Sequence, residues 1–446
     1  MRHVLPLLAV CLGSSLTTFG SGCSSPPASS VDGAVADAAS PLSDGRVDAP
    51  PPSAELGPRL DGSDPLAAFI QRLTPRQRVG QLLFARYAAS CAQIAELQPG
   101  GVVYHGSDVT TEGALRQANL ALQRCAQTNG LSAAVFASTN HEGGRVHYFE
   151  APSQVTRFPS AKLQCDRGTD YVYQVSRAQA EELLYTGIDV TLGPDADVLV
   201  VGSNVIGDRA YASDPKRAAD CVTAALRGYH EGKVLTTLKH FPGHGGTASD
   251  THLGLAVDPS SVAALEQTHL VPFWQGLRQS PQAAFVMVSH VVYRAIDPSW
   301  PATLSPAVVA LLRGRQDPRF AGVTVTDDLN MQAITRYWPL EQAAALSLLA
   351  GADMLMTGTV VDAVKARDLL VKAWDGGLEL NVKDLTGASR VVKATAQEVQ
   401  TRVNDALARI LAVKQRAGLL DLPAAIQRLE QAPVPDWAAH RKLATQ

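Results

Sequence analysis

Val234-Leu-Thr-Thr-Leu-Lys239 runs directly into His240-Phe-Pro-Gly-His244-Gly-Gly-Thr-Ala-Ser-Asp250-Thr-His252. The first part is a short apolar and β-branched run, the kind that forms a strand buried on both faces. The second part cannot be a regular element, because its glycines and Pro242 break helix and strand alike. One Lys, three His and one Asp are gathered in these fourteen residues from Lys239 to His252. A buried strand that ends in a loop of reactive side chains is the pattern of a parallel sheet wrapped by helices. There the chemistry stands beyond the carboxyl ends of the strands.

The same junction recurs on both sides. Candidate strands are Gly80–Tyr87, Gly101–His105, Ala133–Ser138, Asp189–Leu192, Val234–Lys239, Ala284–Ser289, Gly322–Thr326 and Ala352–Met356. Stretches with helical periodicity separate most of them: Thr110–Ala126, Asp170–Thr186, Pro215–Glu231, Ser260–Arg278, Ser305–Arg313 and Leu340–Leu349. Thr74-Pro75 reads as an N-cap and first helical position, so the first run is expected to start as a helix. Eight βα units predict an α/β fold, a (β/α)8 TIM-type barrel forming a single catalytic domain over 64–431. A doubly wound open sheet is the alternative, and no glycine fingerprint of the GxGxxG type follows the first strand to favour it. Ala396–Leu420 reads as an amphipathic helix on the barrel exterior, and 432–446 as a loose tail.

Polar residues fall after the strands, where a barrel would use them. They are Asn140-His141-Glu142-Gly-Gly-Arg145, Asp195, Asp208-Arg209, the Lys239–His252 loop, His290, Asp327-Asp328 and Thr357. Asp250 and His252 lie two apart, so a curled loop lets the carboxylate orient the imidazole for general acid and base work. A metal site built from His240, His244, Asp250 and His252 is the competing reading of that loop. Asp327 ends the apolar run Val323-Thr-Val-Thr326, and a carboxylate there can attack an anomeric carbon and form a covalent intermediate. Its neighbour Asp328 better suits the cap of the following helix.

The Lys239–His252 segment resembles the KHFPGHGDT-x-x-DSH signature of family 3 glycoside hydrolases, in their β-N-acetylglucosaminidase branch. Glu142-Gly143-Gly144-Arg145-Val146 resembles that branch's EGGRV motif, and Ile206-Gly-Asp-Arg209 and Thr326-Asp-Asp-Leu-Asn-Met331 match in order. The resemblance implies a retaining glycosidase that releases terminal β-linked N-acetylglucosamine from peptidoglycan fragments or chitin-type oligosaccharides. It implies Asp327 as nucleophile, His252 as acid/base with Asp250 as its partner, and Lys239, His240 and Arg209 as holders of the sugar hydroxyls. Asn140, Arg145 and His290 complete the expected substrate contacts, and neither metal nor cofactor is implied. Three positions depart from the pattern. Asn140 stands for an Asp, Tyr148 for an Arg, and Gly246 for an Asp. These departures leave three other readings open: altered sugar preference, transfer to phosphate instead of water, and a carbohydrate-binding lipoprotein with impaired catalysis.

The rest of the chain sets the context. Of 446 residues, 39 are Lys or Arg and 42 Asp or Glu, so there is no basic field for nucleic acid. With 46% apolar and 18% charged residues the chain can bury a large core. Residues 1–22 read as an export signal and Cys23 as a lipidation site, with 23–63 as a disordered Pro/Ala/Ser-rich spacer. The expected setting is an exported, lipid-anchored monomer on the periplasmic or extracellular face of a bacterial membrane, acting on an oligosaccharide. Cys91, Cys125, Cys165 and Cys221 permit two disulfides in any of three pairings, or four buried thiols.

Overall fold

A computed structural model describes residues 46–47 and 65–446, apart from 88–89, 109–110, 132, 150–151, 203–204, 280–282 and 315–318. The expected export signal, Cys23 and nearly all of the expected spacer, within residues 1–63, lie outside the described residues. The two described spacer residues, Arg46–Val47, pair in parallel with Val391 and Val392.

Eight strands form the centre: β1 Leu83–Arg86, β2 Gly101–Tyr104, β3 Phe136–Thr139, β4 Val190–Thr191, β5 Leu235–Phe241, β6 Phe285–Val288, β7 Val323–Thr326 and β8 Leu355–Thr357. They lie in chain order and every neighbouring pair is parallel. β8 pairs with β1, and the seam between β7 and β8 closes through a bridge between Val325 and Met354. The fold is therefore the expected barrel. The helix at its entrance is Pro75–Gly80, closed by a capping box between Thr74 and Gln77, so the first expected strand shrinks to Leu83–Arg86.

Register decides which side chains enter the barrel. The rings of Phe136 on β3 and Phe285 on β6 meet at 5.4 Å, edge to face, across the interior. Side chains alternate along a strand and share direction with their register partners. Phe136 pairs with Gly101, and Gly101 with Phe84; Phe285 pairs with Val323 and with Thr237. Two-residue steps from these positions carry Arg86, Asn140, Lys239 and Asp327 inward at the carboxyl mouth. The amino end is plugged from below by Lys414, whose ammonium lies 5.0 Å from the Phe136 ring centroid and donates to Gln81 Oε1 at 2.8 Å.

Three outer features position the rest. Ala256–Asp258 pairs in parallel with Val291–Tyr293, tying the chain after the Lys239–His252 loop to the segment after β6. The expected helix Ser260–Arg278 is interrupted into Val262–Gln267 and Leu270–Gln279. The helix Ala396–Arg416 lies along the barrel and sends Arg402 and Arg409 to Asp353, which also binds Arg313. Two readings need correction. An antiparallel hairpin, Leu378–Lys383 with Ser389–Ala394, was not foreseen, although its first strand alternates buried and exposed residues. The segment expected to be a loose tail contains the helix Trp437–Thr445, because His440 is drawn between Glu182 at 2.9 Å and Glu181 at 3.3 Å.

The cysteines pair as Cys91–Cys125 and Cys165–Cys221, spanning 34 and 56 residues. Closing loops of those lengths stabilises the fold by about 4 kcal/mol each in the chain-entropy account.

Candidate active site

Glu142 is the hub of the mouth. It leaves β3 in the Glu142-Gly143-Gly144 turn, where the chain must pass close to the Phe158–Ser160 backbone. A Cβ on Gly143 would lie 2.4 Å from Pro159 O, and φ there is +95°. Only glycine fits. The Glu142 carboxylate takes a bidentate contact from Arg209, at 2.8 and 2.9 Å, and meets Lys239 Nζ at 2.5 Å. Burial alone would raise its pKa, but Arg209 and Lys239 hold it well below the usual carboxylate range. Lys239 also donates to Asn140 Oδ1 at 2.8 Å.

Behind this hub stand two carboxylates from the segment after β4. Asp197 Oδ2 accepts from His240 Nδ1 at 2.7 Å, and its Oδ1 accepts from the His244 backbone N–H at 2.6 Å. Burial pushes Asp197 up, yet His240 and His244 bring it net below its ordinary value. With Nδ1 committed, His240 turns Nε2 toward Arg209 Nη2, 3.5 Å away. Asp195 is pushed up instead, by burial and by the charge of Asp197.

Among the described residues, Asp195, Asp197 and His240 are grouped so that they could hold a cation, with ligand atoms within 4.8 Å of one another. The Arg209 guanidinium already fills that role, 3.4 Å from Asp195 Oδ2, and Asp197 has both oxygens in use. The donor set reads as an ion-pair network and does not fit a resident metal. The metal reading of His240, His244, Asp250 and His252 is overturned, since these four do not converge among the described residues. His244 Nε2 bonds Thr251 Oγ1 at 3.2 Å, and His252 faces solvent.

Asp327 projects from the end of β7 and is half-buried, with Oδ1 accepting from the Asp328 N–H at 2.8 Å. Burial raises its pKa, and His290, His240, the Asp328 N–H and His252 together bring it below the ordinary value. It is thus held ionised. Asp328 is raised to about 6, chiefly by burial. Its Oδ1 closes a turn by accepting from Asn330 N at 2.9 Å, and the next helix begins only at Gln332. Asp328 therefore caps a turn, not the expected helix.

His252 and Asp250 form the expected dyad. Asp250 Oδ1 accepts from both the backbone N–H and Nδ1 of His252, each at 2.8 Å. Nε2 is left pointing outward on a side chain that is 64% exposed. The carbonyls of Thr251 and His252 accept from Ala333 N and Gln332 N, so the loop rests on the turn of helix after Asp327.

Two residues expected at the sugar make protein contacts in this structure. His290 is buried, with Nδ1 on Thr303 Oγ1 at 2.8 Å and Nε2 on the Asp328 carbonyl at 3.0 Å. Both ring nitrogens are used, so it braces the Asp327-Asp328 backbone. Arg145 grips the carbonyls of Val205 and Ile206 at 2.6 and 2.9 Å and holds the loop that presents Arg209. Sequence reasoning missed Asp197 and gave Glu142 and Asp195 no role. The signal available was a pair of acids, two apart, after the fourth strand.

The chain matches the glycosyl hydrolase family 3 N-terminal domain over residues 74–413. It belongs to glycosyl hydrolase family 3. Within the family it is similar to a β-hexosaminidase of Xylella fastidiosa strain M12, 32% identical over 288 residues, or 62% of this chain and 75% of that protein. A β-hexosaminidase of Tolumonas auensis is 36% identical over 225 residues, covering 49% and 65% of the two chains. Among solved structures, a family 3 β-N-acetylglucosaminidase from a Paenibacillus strain superposes with a TM-score of 0.71 at 28% identity, covering 83% of this chain and 68% of that one. A β-N-acetylhexosaminidase from Beutenbergia cavernae gives 0.66 at 26% identity, covering 77% and 99%. The family 3 chain described here is a glycosidase of the β-hexosaminidase type.

Proposed function

We propose that the protein releases terminal β-linked N-acetylglucosamine from peptidoglycan fragments or chitin-type oligosaccharides with retention of configuration. An Asp327 oxygen attacks C1 as the glycosidic C–O bond breaks, and His252 Nε2–H gives its proton to the departing oxygen. Water then attacks C1, His252 takes the water proton, and the C1–Asp327 ester bond breaks to restore the carboxylate. Asp250 keeps Nδ1 as the donor to itself, which leaves Nε2 for the substrate. Lys239, His240, Arg209 and Asn140 hold the sugar hydroxyls. The exposed His252 reaches the leaving oxygen when its loop folds over bound sugar.

The observation that carries this reading is a half-buried carboxylate at the end of β7, held below its ordinary pKa, with an Asp-oriented imidazole on the loop after β5. The Asn140 departure is compatible with turnover, because its Oδ1 still accepts from Lys239. The two disulfides support an exported, oxidising setting, and a lipid-anchored monomer remains part of the proposal. The test is a chromogenic β-N-acetylglucosaminide with wild type and Asp327→Ala, joined to trapping with a fluorinated N-acetylhexosamine analogue. Loss of turnover by at least about a thousandfold and an adduct on the Asp327 peptide are expected. Equal turnover in the two proteins refutes the mechanism.

A further inference from the structure

One charged pair at the mouth has no part in the chemistry above. Arg86, the last residue of β1, shares register with Val103, and Val103 with Ser138, so its side chain enters the barrel one layer beneath Asn140. Its guanidinium rises to a two-point contact with Asp108, just beyond β2: Nε to Oδ2 at 3.2 Å and Nη2 to Oδ1 at 3.1 Å. The His105 backbone N–H fixes the same carboxylate at 3.0 Å. The side chains stay 40% and 18% exposed, and ion pairs that open to solvent contribute little to folding. A two-point, backbone-anchored pair turned into the mouth therefore calls for an explanation other than stability.

Its neighbours supply one. A Cβ on Gly106, between His105 and Asp108, would lie 3.4 Å from the Tyr148 ring. Tyr148 is raised above its ordinary pKa, mainly by burial, and exchanges a side-chain bond with Asn140. Asn140 in turn accepts from Lys239. The pair thus continues the wall that holds Lys239. Strand order places β1 opposite β5, and β3 opposite β7. A pyranose with C1 over Asp327 of β7 is flanked by Lys239 and His240 of β5 on one side and by Arg86 of β1 on the other. Asp328 lies close enough to add to the raised pKa of Arg86, after Asp108 itself and against burial.

We propose that Arg86 and Asp108 form a specificity subsite that binds a hydroxyl of the terminal sugar on the flank turned away from Lys239. The guanidinium donates to the hydroxyl oxygen and the carboxylate accepts its proton, a pairing suited to neutral sugar hydroxyls. The proposal rests on the placement of C1 over Asp327 given above.

The test compares wild type, Arg86→Ala, Arg86→Lys and Asp108→Asn on a chromogenic β-N-acetylglucosaminide and on its 3-deoxy, 4-deoxy and 6-deoxy analogues, with melting curves to confirm folding. A hydrogen bond to a charged group predicts about a 10- to 100-fold loss of kcat/KM on the parent sugar. The loss should vanish on one deoxy analogue, the one lacking the contacted hydroxyl, and Arg86→Lys should restore part of it. An equal loss on every sugar, or none on any, overturns the subsite. If wild type turns over no glycoside, the proposed function fails separately. The subsite is then judged by calorimetric titration of the same four glycosides into Asp327→Ala, with and without Arg86→Ala. Selective loss against one analogue supports it, and uniform or absent loss overturns it.

Discussion

Glu142→Gln removes the anion that two buried cations share while keeping the shape of the side chain. The side chains of Glu142, Lys239 and Arg209 are 4%, 2% and 12% exposed, so their contacts are poorly screened by water. Breaking a buried pair by removing one partner generally costs about 3–5 kcal/mol. Asp195 reduces that figure. Its Oδ2 lies 3.4 Å from Arg209 Nη2, and at an effective dielectric near 20 an ionised carboxylate there attracts the guanidinium by about 5 kcal/mol before desolvation. In the wild type Asp195 is pushed up to about 7, first by burial, then by Asp197 and in part by Glu142. Without the Glu142 charge its folded pKa falls. Over the pH range between the lowered and the original value the variant then sheds a proton that the wild type keeps, and the stability gap narrows as pH rises. Urea denaturation should therefore give a loss of about 3–5 kcal/mol at pH 5 and about 1–3 kcal/mol at pH 8. Activity should fall at least about a hundredfold at both, because Lys239 and Arg209 lose their common anchor. A loss below about 1 kcal/mol, or one that does not change with pH, would refute the view of Glu142 as a charge hub backed by Asp195.

Other outcomes follow from the same structure. Gly246 leaves room for a neighbouring acid: a Cβ there would sit 2.0 Å from Asp258 Oδ2 and 2.9 Å from His269 Nε2. Gly246→Ala should destabilise by about 1–3 kcal/mol and lower kcat, and adding Asp258→Ala should recover part of the stability in thermal melts. His440 is raised above its ordinary pKa, with burial opposing and the bond to Glu182 leading the favourable contacts. A raised folded pKa stabilises below the unfolded value and fades as pH climbs through the folded one. His440→Gln should therefore lose about 1–3 kcal/mol in acid and progressively less toward pH 9 in chemical denaturation. Lys414 is lowered to about 7 by burial, against 10.5 for a free lysine. Between those values the folded state binds fewer protons than the unfolded one, so wild-type stability should rise by up to about 1.4 kcal/mol per pH unit. Lys414→Met should flatten that slope, which denaturation at pH 7.5 and 9.5 will show.

The sequence alone determined the barrel, because buried parallel strands announce themselves as short apolar runs and each ends in a cluster of polar residues. It also pointed to the proposed reacting groups: Asp327 ends such a run, and Asp250 and His252 are close enough in the chain to bond through a single turn. These are local signals, carried by periodicity and by neighbours a few residues apart. The Glu142 hub is different. It joins residues from after β3, after β4, from the loop holding Arg209 and from β5, and no spacing rule links positions 142, 195, 197, 209 and 239. Tertiary structure also gave Arg145 and His290 protein partners that the sequence did not announce, the carbonyls of Val205 and Ile206 for the one and Thr303 and the Asp328 carbonyl for the other. It paired the cysteines, docked the last helix through His440, and turned Arg86 into the mouth by β-sheet register. Which side of a strand faces the interior depends on its partners' alignment, a property that the chain acquires only when the barrel closes.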